Sequence, residues 1–304
     1  QRLVALESGA IDIAHSVLPE ESQFVELHPR LTLHRTAPSS ITYLALNGDK
    51  APFDDGRVRR AVNHAINKVP IVKVLWQGLA SPAGSPLAPS GWGHWAGPDY
   101  DYDPDRARVL LAQAAAEGRF DPSRVYRLYV PATSRPHLPN PERLGRAIQA
   151  NLRDVGIDVE MVALPLPDFL RAVRDGEHDM CIHGWVPDHG DPDNTLYVLF
   201  SRRNAELGRA TNLSFYRDPE VQGLLVVAQE SAERSEREAL YARVQALIHE
   251  HAPWVPLAHS RVAVASRDEL RGVRMLPTGV IHYREVSRRD WRRSGRTESR
   301  ADGR

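Results

Sequence analysis

Residues 125–163, VYRLYVPATSRPHLPNPERLGRAIQANLRDVGIDVEMVA, constrain the fold more than any other stretch of this chain. VYRLYV and IDVEMVA are short runs rich in β-branched and aromatic residues, so each reads as a strand. Between them Asn140 and Pro141 stand in the order of an N-cap and a first-turn proline, Leu144, Ile148 and Leu152 share one helix face, and Gly156 ends the helix. A strand, a helix and a strand in this order form a β-α-β unit, which predicts two parallel strands and an α/β fold.

The flanking sequence extends this plan. A helical pattern over LVALES stops at Gly9, a strand follows at Ile11 to Ala14, and TLHR and ITYLALN read as further strands. PFDDGRVRRAVNHAINKVPIVKVLWQG reads as two helices, capped by Asp54 or Asp55, with a buried stripe of Val58, Ala61, Val62, Ala65 and Ile66 and a stop at Gly78. Residues 79–102 are rich in Pro, Gly, Ser and aromatics, and a stretch of that kind is functional or packed over a surface, with Trp92 and Trp95 as packing residues. Asp103-Pro104 opens a helix that closes at Gly118, and PDFLRAVRDG is a short helix leading to a strand at Asp179 to Gly184. Asp218-Pro219 opens another helix, residues 234–251 form one more, and WVPLAHSRVAVAS suggests a strand pair. Residues 287–304, with seven arginines against three acids and no apolar period, read as a disordered tail.

The formal charge is zero, from 39 basic and 39 acidic residues, so no bulk field draws the chain to nucleic acid or anionic lipid. No apolar run approaches the roughly 18 residues of a membrane span. A single cysteine, Cys181, excludes an intramolecular disulfide and a cysteine-based zinc cage. The chain opens at Gln1 without a basic segment followed by an apolar one, so a leader has been removed or the natural N-terminus is missing.

Candidate chemistry concentrates in HGWVPDHGDPDN, residues 183–194. His178, His183 and His189 do not share a helix face, and the aspartates 188, 191 and 193 lack the closing Glu of a calcium loop. There is no G-x-S-x-G, and Cys181 lies inside an expected strand. Asp191-Pro192 and Asp193 resemble a cap for the helix TLYVLF. Asp188 would then project from the C-terminal end of the preceding strand, while Arg135 follows the C-terminal end of VYRLYV and precedes a helix N-terminus. In α/β sheets ligands lie beyond such strand ends. A guanidinium beside a helix N-terminus suits a carboxylate, and an unpaired carboxylate suits an ammonium, so a small zwitterion fits between the two.

At this point the chain resembles the dipeptide- and oligopeptide-binding group of the extracellular solute-binding proteins that serve bacterial ABC importers. The resemblance runs from about residue 1 to 286, through ITYLALN, PFDDGRVRRAVNHAINKVPIV, YDYDPDRARVLLAQA, GIDVEMV, GEHDMCIHGWVPDHGDPDN, LYARVQALIHEHAPWVPLAHS and RGVRMLPTG. It implies an α/β, two-lobed, periplasmic-binding-protein-like fold (type II, peptide-binding group) with the N-terminal part of one lobe missing. Residues 1–45 would belong to lobe I, 46–255 to lobe II with the peptide-binding face, and 256–286 to the return into lobe I. It implies that Asp188, three residues after Gly-Trp, receives a peptide's amino group, and that Arg135, in RPHLPN, receives the carboxylate. Trp185 walls the pocket in this reading; a core tryptophan beside a strand is its equal alternative.

The implied function is the substrate-binding component of an ABC importer, periplasmic or extracellular, with or without a membrane anchor. Its partners would be a dipeptide or short peptide and a membrane permease, without catalysis or cofactor. Relatives of this architecture carry nickel chelates, haem or glutathione. Two readings of other classes are a metal-dependent hydrolase using His183, Asp188 and His189, and a truncated product without function. Because family members are longer at the N-terminus, the chain reads as a C-terminal fragment, whose ends should leave unpaired strand edges and exposed apolar surface.

Overall fold

The computed structural model describes residues 1–276 and 278–289. In chain order the elements are α1 (Arg2–Ser8), β1 (Ile13–Ala14), α2 (Pro19–Leu27), β2 (Leu31–Arg35), β3 (Ile41–Leu46), α3 (Gly56–Ala65), α4 (Lys68–Trp76) and β4 (Ala80–Pro82). Then come α5 (Pro104–Ala116), β5 (Val125–Pro131), α6 (Pro141–Asp154), β6 (Asp158–Leu164), α7 (Leu166–Arg174), β7 (Met180–Trp185) and α8 (Asp193–Phe200). The chain continues through α9 (Pro219–Glu230), α10 (Arg234–His251), β8 (Trp254–Ser260), β9 (Ala263–Arg267), β10 (Leu270–Arg271) and β11 (Ser287–Arg288).

A six-stranded mixed sheet, in the order β4-β8-β3-β7-β5-β6, organises most of the molecule. The expected β-α-β unit is present: β5 and β6 pair in parallel from Val125↔Asp158 to Pro131↔Leu164. Between them Leu144, Ile148 and Leu152 of α6 are fully buried, and the Asn140 side chain accepts from the Arg143 amide at 3.1 Å. The period of two in β7 divides its side chains between two cores. Met180 and Ile182 face the core that α3 to α6 cover, while Cys181 faces the core under α7 to α10. The α3 stripe is buried as expected, and Asp55 rather than Asp54 caps that helix.

A second, three-stranded sheet in the order β1-β9-β2 packs on a small core of Leu6, Ala14, Val17, Val25, Leu31 and their neighbours. Two crossing segments join the sheets, and they bond to each other: Thr36 N–H donates to Val262 O and Ser39 N–H to Ser260 O. The strands β8 and β9 therefore do not form a hairpin. Only Arg261 and Val262 separate them, yet one enters each sheet. Boundaries at 45/46 and 255/256 pass through β3 and β8, both strands of the large sheet.

The disordered tail expected from 287 needs correcting at its start. Ser287 and Arg288 pair antiparallel with Arg271 and Leu270, and Arg288 also reaches Asp12 at 2.6 Å. Residues 290–304 of that expectation lie outside the described residues. Exposed apolar side chains are found on α1 and α2, at Val4, Phe24 and Leu27. No described helix is long and apolar enough to cross a membrane.

Candidate ligand-binding site

The site lies where β3 begins and β7 ends, since Ile41 is the register partner of Trp185. Its first wall comes from the connection between β5 and α6. There Arg135 and Leu138 exchange backbone hydrogen bonds of 3.0 and 2.9 Å, a tight turn that leaves the Arg135 side chain exposed. The turn is fixed from below, because the His137 carbonyl accepts from Thr42 Oγ1 at 2.5 Å and from Ser260 Oγ at 3.3 Å. Burial, with the Arg135 charge beside it, pushes His137 down to about 4, so its ring is neutral at pH 7.

The second wall is the segment after β7. Its three aspartates differ sharply in what they touch. Asp191 is engaged by Arg237 through two bonds of 2.8 and 2.7 Å, and it accepts the Asp193 amide at 3.0 Å where α8 begins. Asp193 is half-buried, raised by that burial, and accepts from Gln229 at 3.1 Å. The N-cap position of α8 is Pro192, which supplies no side-chain cap, and Asp191, one residue earlier, takes the Asp193 amide instead. Asp188 is exposed, and its amide donates to Asn194 Oδ1 at 2.9 Å. Among the described residues no side chain pairs with the Asp188 carboxylate, and none pairs with the Arg135 guanidinium.

Both charges follow the C-terminal ends of parallel, neighbouring strands. The strands β5 and β7 are parallel neighbours in which Leu128 faces Met180 and Tyr129 faces Cys181, an offset of 52 residues (128 to 180). Arg135 and Asp188 are 53 residues apart (135 to 188) and follow the C-terminal ends of those strands. Arg135 lines a cleft of about 330 Å³ between the two sheets, with Ser40, His137, Val186, Arg261 and Gly279 among its walls. Val186 stands two residues before Asp188 on the same segment.

Trp185 is half-buried and packs against the core under α7 to α10, with its indole N–H buried and unpartnered among the described residues. It is not part of the lining of the Arg135 cleft. His183 sits with Tyr43 and Phe169, ring centroids 6.1 and 5.8 Å away, and burial pushes it down to about 3. His189 is exposed on the loop, its Nδ1 accepting from the Asp191 amide at 3.3 Å. His183, Asp188 and His189 thus occupy different surroundings. Among the described residues no group of three or more His, Cys, Asp or Glu side chains is disposed to hold a metal ion. Cys181 is fully buried, which pushes its thiol up and away from reactivity.

A family model described as bacterial extracellular solute-binding proteins, family 5 middle, matches residues 1–206. The chain belongs to this family. It is 34% identical over 249 residues to a dipeptide-binding protein of Escherichia coli strain K12, covering 82% of this chain and 45% of that protein. It is also 30% identical over 289 residues to heme-binding protein A of Haemophilus influenzae, covering 94% of this chain and 51% of the relative. Among solved structures, the periplasmic binding protein DppA of Helicobacter pylori in complex with the peptide STSA matches with a TM-score of 0.82 and 32% identity. That match covers 95% of this chain and 55% of that one. The chain spans about half the length of the curated relatives it matches. Family 5 members are solute-binding proteins, so what the site holds is a matter of its chemistry.

Sequence reasoning missed the crossing segments, which supply Ser40, Ser260, Arg261 and Val262 to the cleft. No local motif marks them, because they meet only through pairings between residues more than 200 positions apart.

Proposed function

We propose that this chain supplies the main ligand-recognition surface of a peptide-binding protein serving an ABC importer, outside the cytoplasmic membrane and without catalysis. The observation that carries this reading is the pair of unpartnered opposite charges, Arg135 and Asp188, beyond the C-terminal ends of adjacent parallel strands. The Arg135 guanidinium receives the peptide's carboxylate, and Asp188 receives its α-ammonium. Trp185 backs this seam from the core side. Each charge-assisted contact, partly shielded from water, contributes roughly 1.5–3 kcal/mol.

A zwitterion with its charges at the two ends of a short backbone satisfies both groups, and a dipeptide is the smallest peptide that does so. The two sheets form parts of two lobes, with the lobe boundaries near the crossing segments at 36–40 and 260–263. The membrane permease is the partner that receives the peptide. The names of the E. coli and H. pylori relatives support a peptide as the solute.

Calorimetric titration of the chain with Ala-Ala tests this reading. Saturable binding is expected, and Asp188→Ala and Arg135→Ala should each weaken it at least about tenfold. Acetylating the peptide's amino terminus should mimic the Asp188→Ala loss. Binding that is indifferent to both variants would remove the clamp from the account.

A further inference from the structure

A cavity of about 410 Å³ opens at the end of β3 remote from the peptide seam. Ile41, at the start of that strand, partners Trp185, whereas Leu46, at its other end, lines this cavity. The extended strand from 41 to 46 separates the two by about 17 Å, at roughly 3.4 Å per residue. The walls are the turn after β3, the segment before α9 and the C-terminal end of α10, with Arg59 of α3 beside them.

These walls are tied to one another. The Gly48 amide donates to the Ser214 carbonyl at 2.8 Å, and Tyr216 Oη lies 2.6 Å from His251 Nδ1. Arg217 pairs with Asp49 and donates to the Ala205 carbonyl at 2.8 Å. Asp218 accepts the Val221 amide at 2.8 Å where α9 begins, and it stands 3.7 Å from His251. Both carboxylates of the lining, Asp49 and Asp218, are therefore already engaged.

Arg59 is different. It is partly buried, and burial lowers its pKa because the charge is withdrawn from water. Its hydrogen bonds go to carbonyls, from Nε to His251 at 2.7 Å and from Nη1 to Phe53 at 2.8 Å. The His251 carbonyl belongs to the C-terminal end of α10, whose partial negative charge is only about half a unit. Asp55 and Asp54, which favour the Arg59 charge, are held by Arg57 at 2.7 Å and Arg119 at 2.5 Å. Among the described residues Arg59 Nη2 has no hydrogen-bond partner, and no carboxylate forms an ion pair with this guanidinium. With Tyr216 donating its hydroxyl hydrogen to Nδ1, the neutral His251 ring carries its own proton on Nε2, a second donor unpartnered among the described residues.

We infer that this cavity is a second ligand site, taking a small molecule through a carboxylate or phosphate group that Arg59 receives. The planar guanidinium matches the paired oxygens of such groups. A partly buried cation without a full counter-charge gains by acquiring one. The cavity is many times the roughly 30 Å³ share of one water, so a small organic acid or phosphate ester has room. It shares no lining residue with the Arg135 cleft, so the site acts independently of the peptide clamp.

Amide NMR spectra of the isotope-labelled full chain test this, titrated with sodium phosphate and separately with sodium acetate, at an ionic strength held constant by chloride. Saturable shifts are expected at Gly48, Asp49, Tyr216 and His251 in at least one titration, and the anion that produces them identifies the group. Arg59→Gln should weaken that binding at least about tenfold. Adding Ala-Ala should leave the shifts in place. Shifts that do not saturate with either anion, or that are unchanged in Arg59→Gln, would overturn the inference. So would saturable shifts confined to the Arg135 segment, or displacement of the anion by Ala-Ala, because either would put the anion in the peptide site. Should Arg59→Gln not fold, the position and saturation of the shifts in the unaltered chain decide.

Discussion

Gly184 is where the smallest side chain has a large positional consequence. It lies on β7 facing the His137 ring, and an added Cβ would stand 2.5 Å from His137 Cδ2 and 3.2 Å from the Ile41 carbonyl. The His137 turn carries Arg135, so a methyl here presses on the very segment that aims the guanidinium. Gly184→Ala should destabilise the fold by about 1–3 kcal/mol through overpacking and weaken Ala-Ala binding. Thermal unfolding and titration read the two effects separately, and an unchanged affinity would mean that the turn is held elsewhere. At this scale, the sequence around 183–194 displays its ligand-type residues but not their division of labour. Asp188 and Asp191 have similar local contexts. What separates them is Arg237, 46 residues further on, which claims Asp191 alone (191 to 237). The tryptophan question was equally open from composition, and the half-buried indole of Trp185 is decided by packing from helices distant in sequence.

Elements whose signals are local were legible in detail. The start of α6 illustrates this, because cap, first-turn proline and apolar stripe are all written within PNPERLGRAIQANL. Asn140 also adopts a left-handed backbone, φ 42°, which Asn tolerates better than Ala. The cap bond and the backbone preference can be separated by two substitutions. Asn140→Ala loses both and should cost about 1–2 kcal/mol, whereas Asn140→Gly keeps the conformation accessible and should cost only a few tenths. Urea midpoints of the two variants check the order; equal losses would assign the whole effect to the missing hydrogen bond. What the sequence does not display is the parting of β8 and β9. Both are apolar runs, and the two residues between them are compatible with a hairpin. Their separation follows from partners far away: β3 and β4 capture β8, while β1 and β2 capture β9.

Across the whole molecule, stability is unevenly distributed. The large sheet is sandwiched between two extensive cores, while the β1-β9-β2 sheet rests on a small one beside the exposed Val4, Phe24 and Leu27. Four histidines spread through the fold share one electrostatic condition. Burial pushes His137, His178 and His259 down to about 4 and His183 to about 3. In the unfolded chain each returns to about 6.5, so below that pH the unfolded state binds protons that the folded state refuses. The folded state is therefore fully favoured above about pH 6.5, and stability falls as pH drops from there towards 4. Each histidine costs at most about 1.4 kcal/mol per pH unit in that window, and the four together cost several kcal/mol by pH 5. Most carboxylates titrate below this range, so urea unfolding at pH 7.5 and 5.5 isolates the histidine effect. The midpoint should drop markedly at pH 5.5. His178→Gln should lessen the drop relative to the protein's own stability at pH 7.5, because the imidazole whose Nε2 faces the Leu213 carbonyl at 2.8 Å would be gone. A midpoint that does not move between the two pH values would mean that these rings are hydrated enough to take up protons in place.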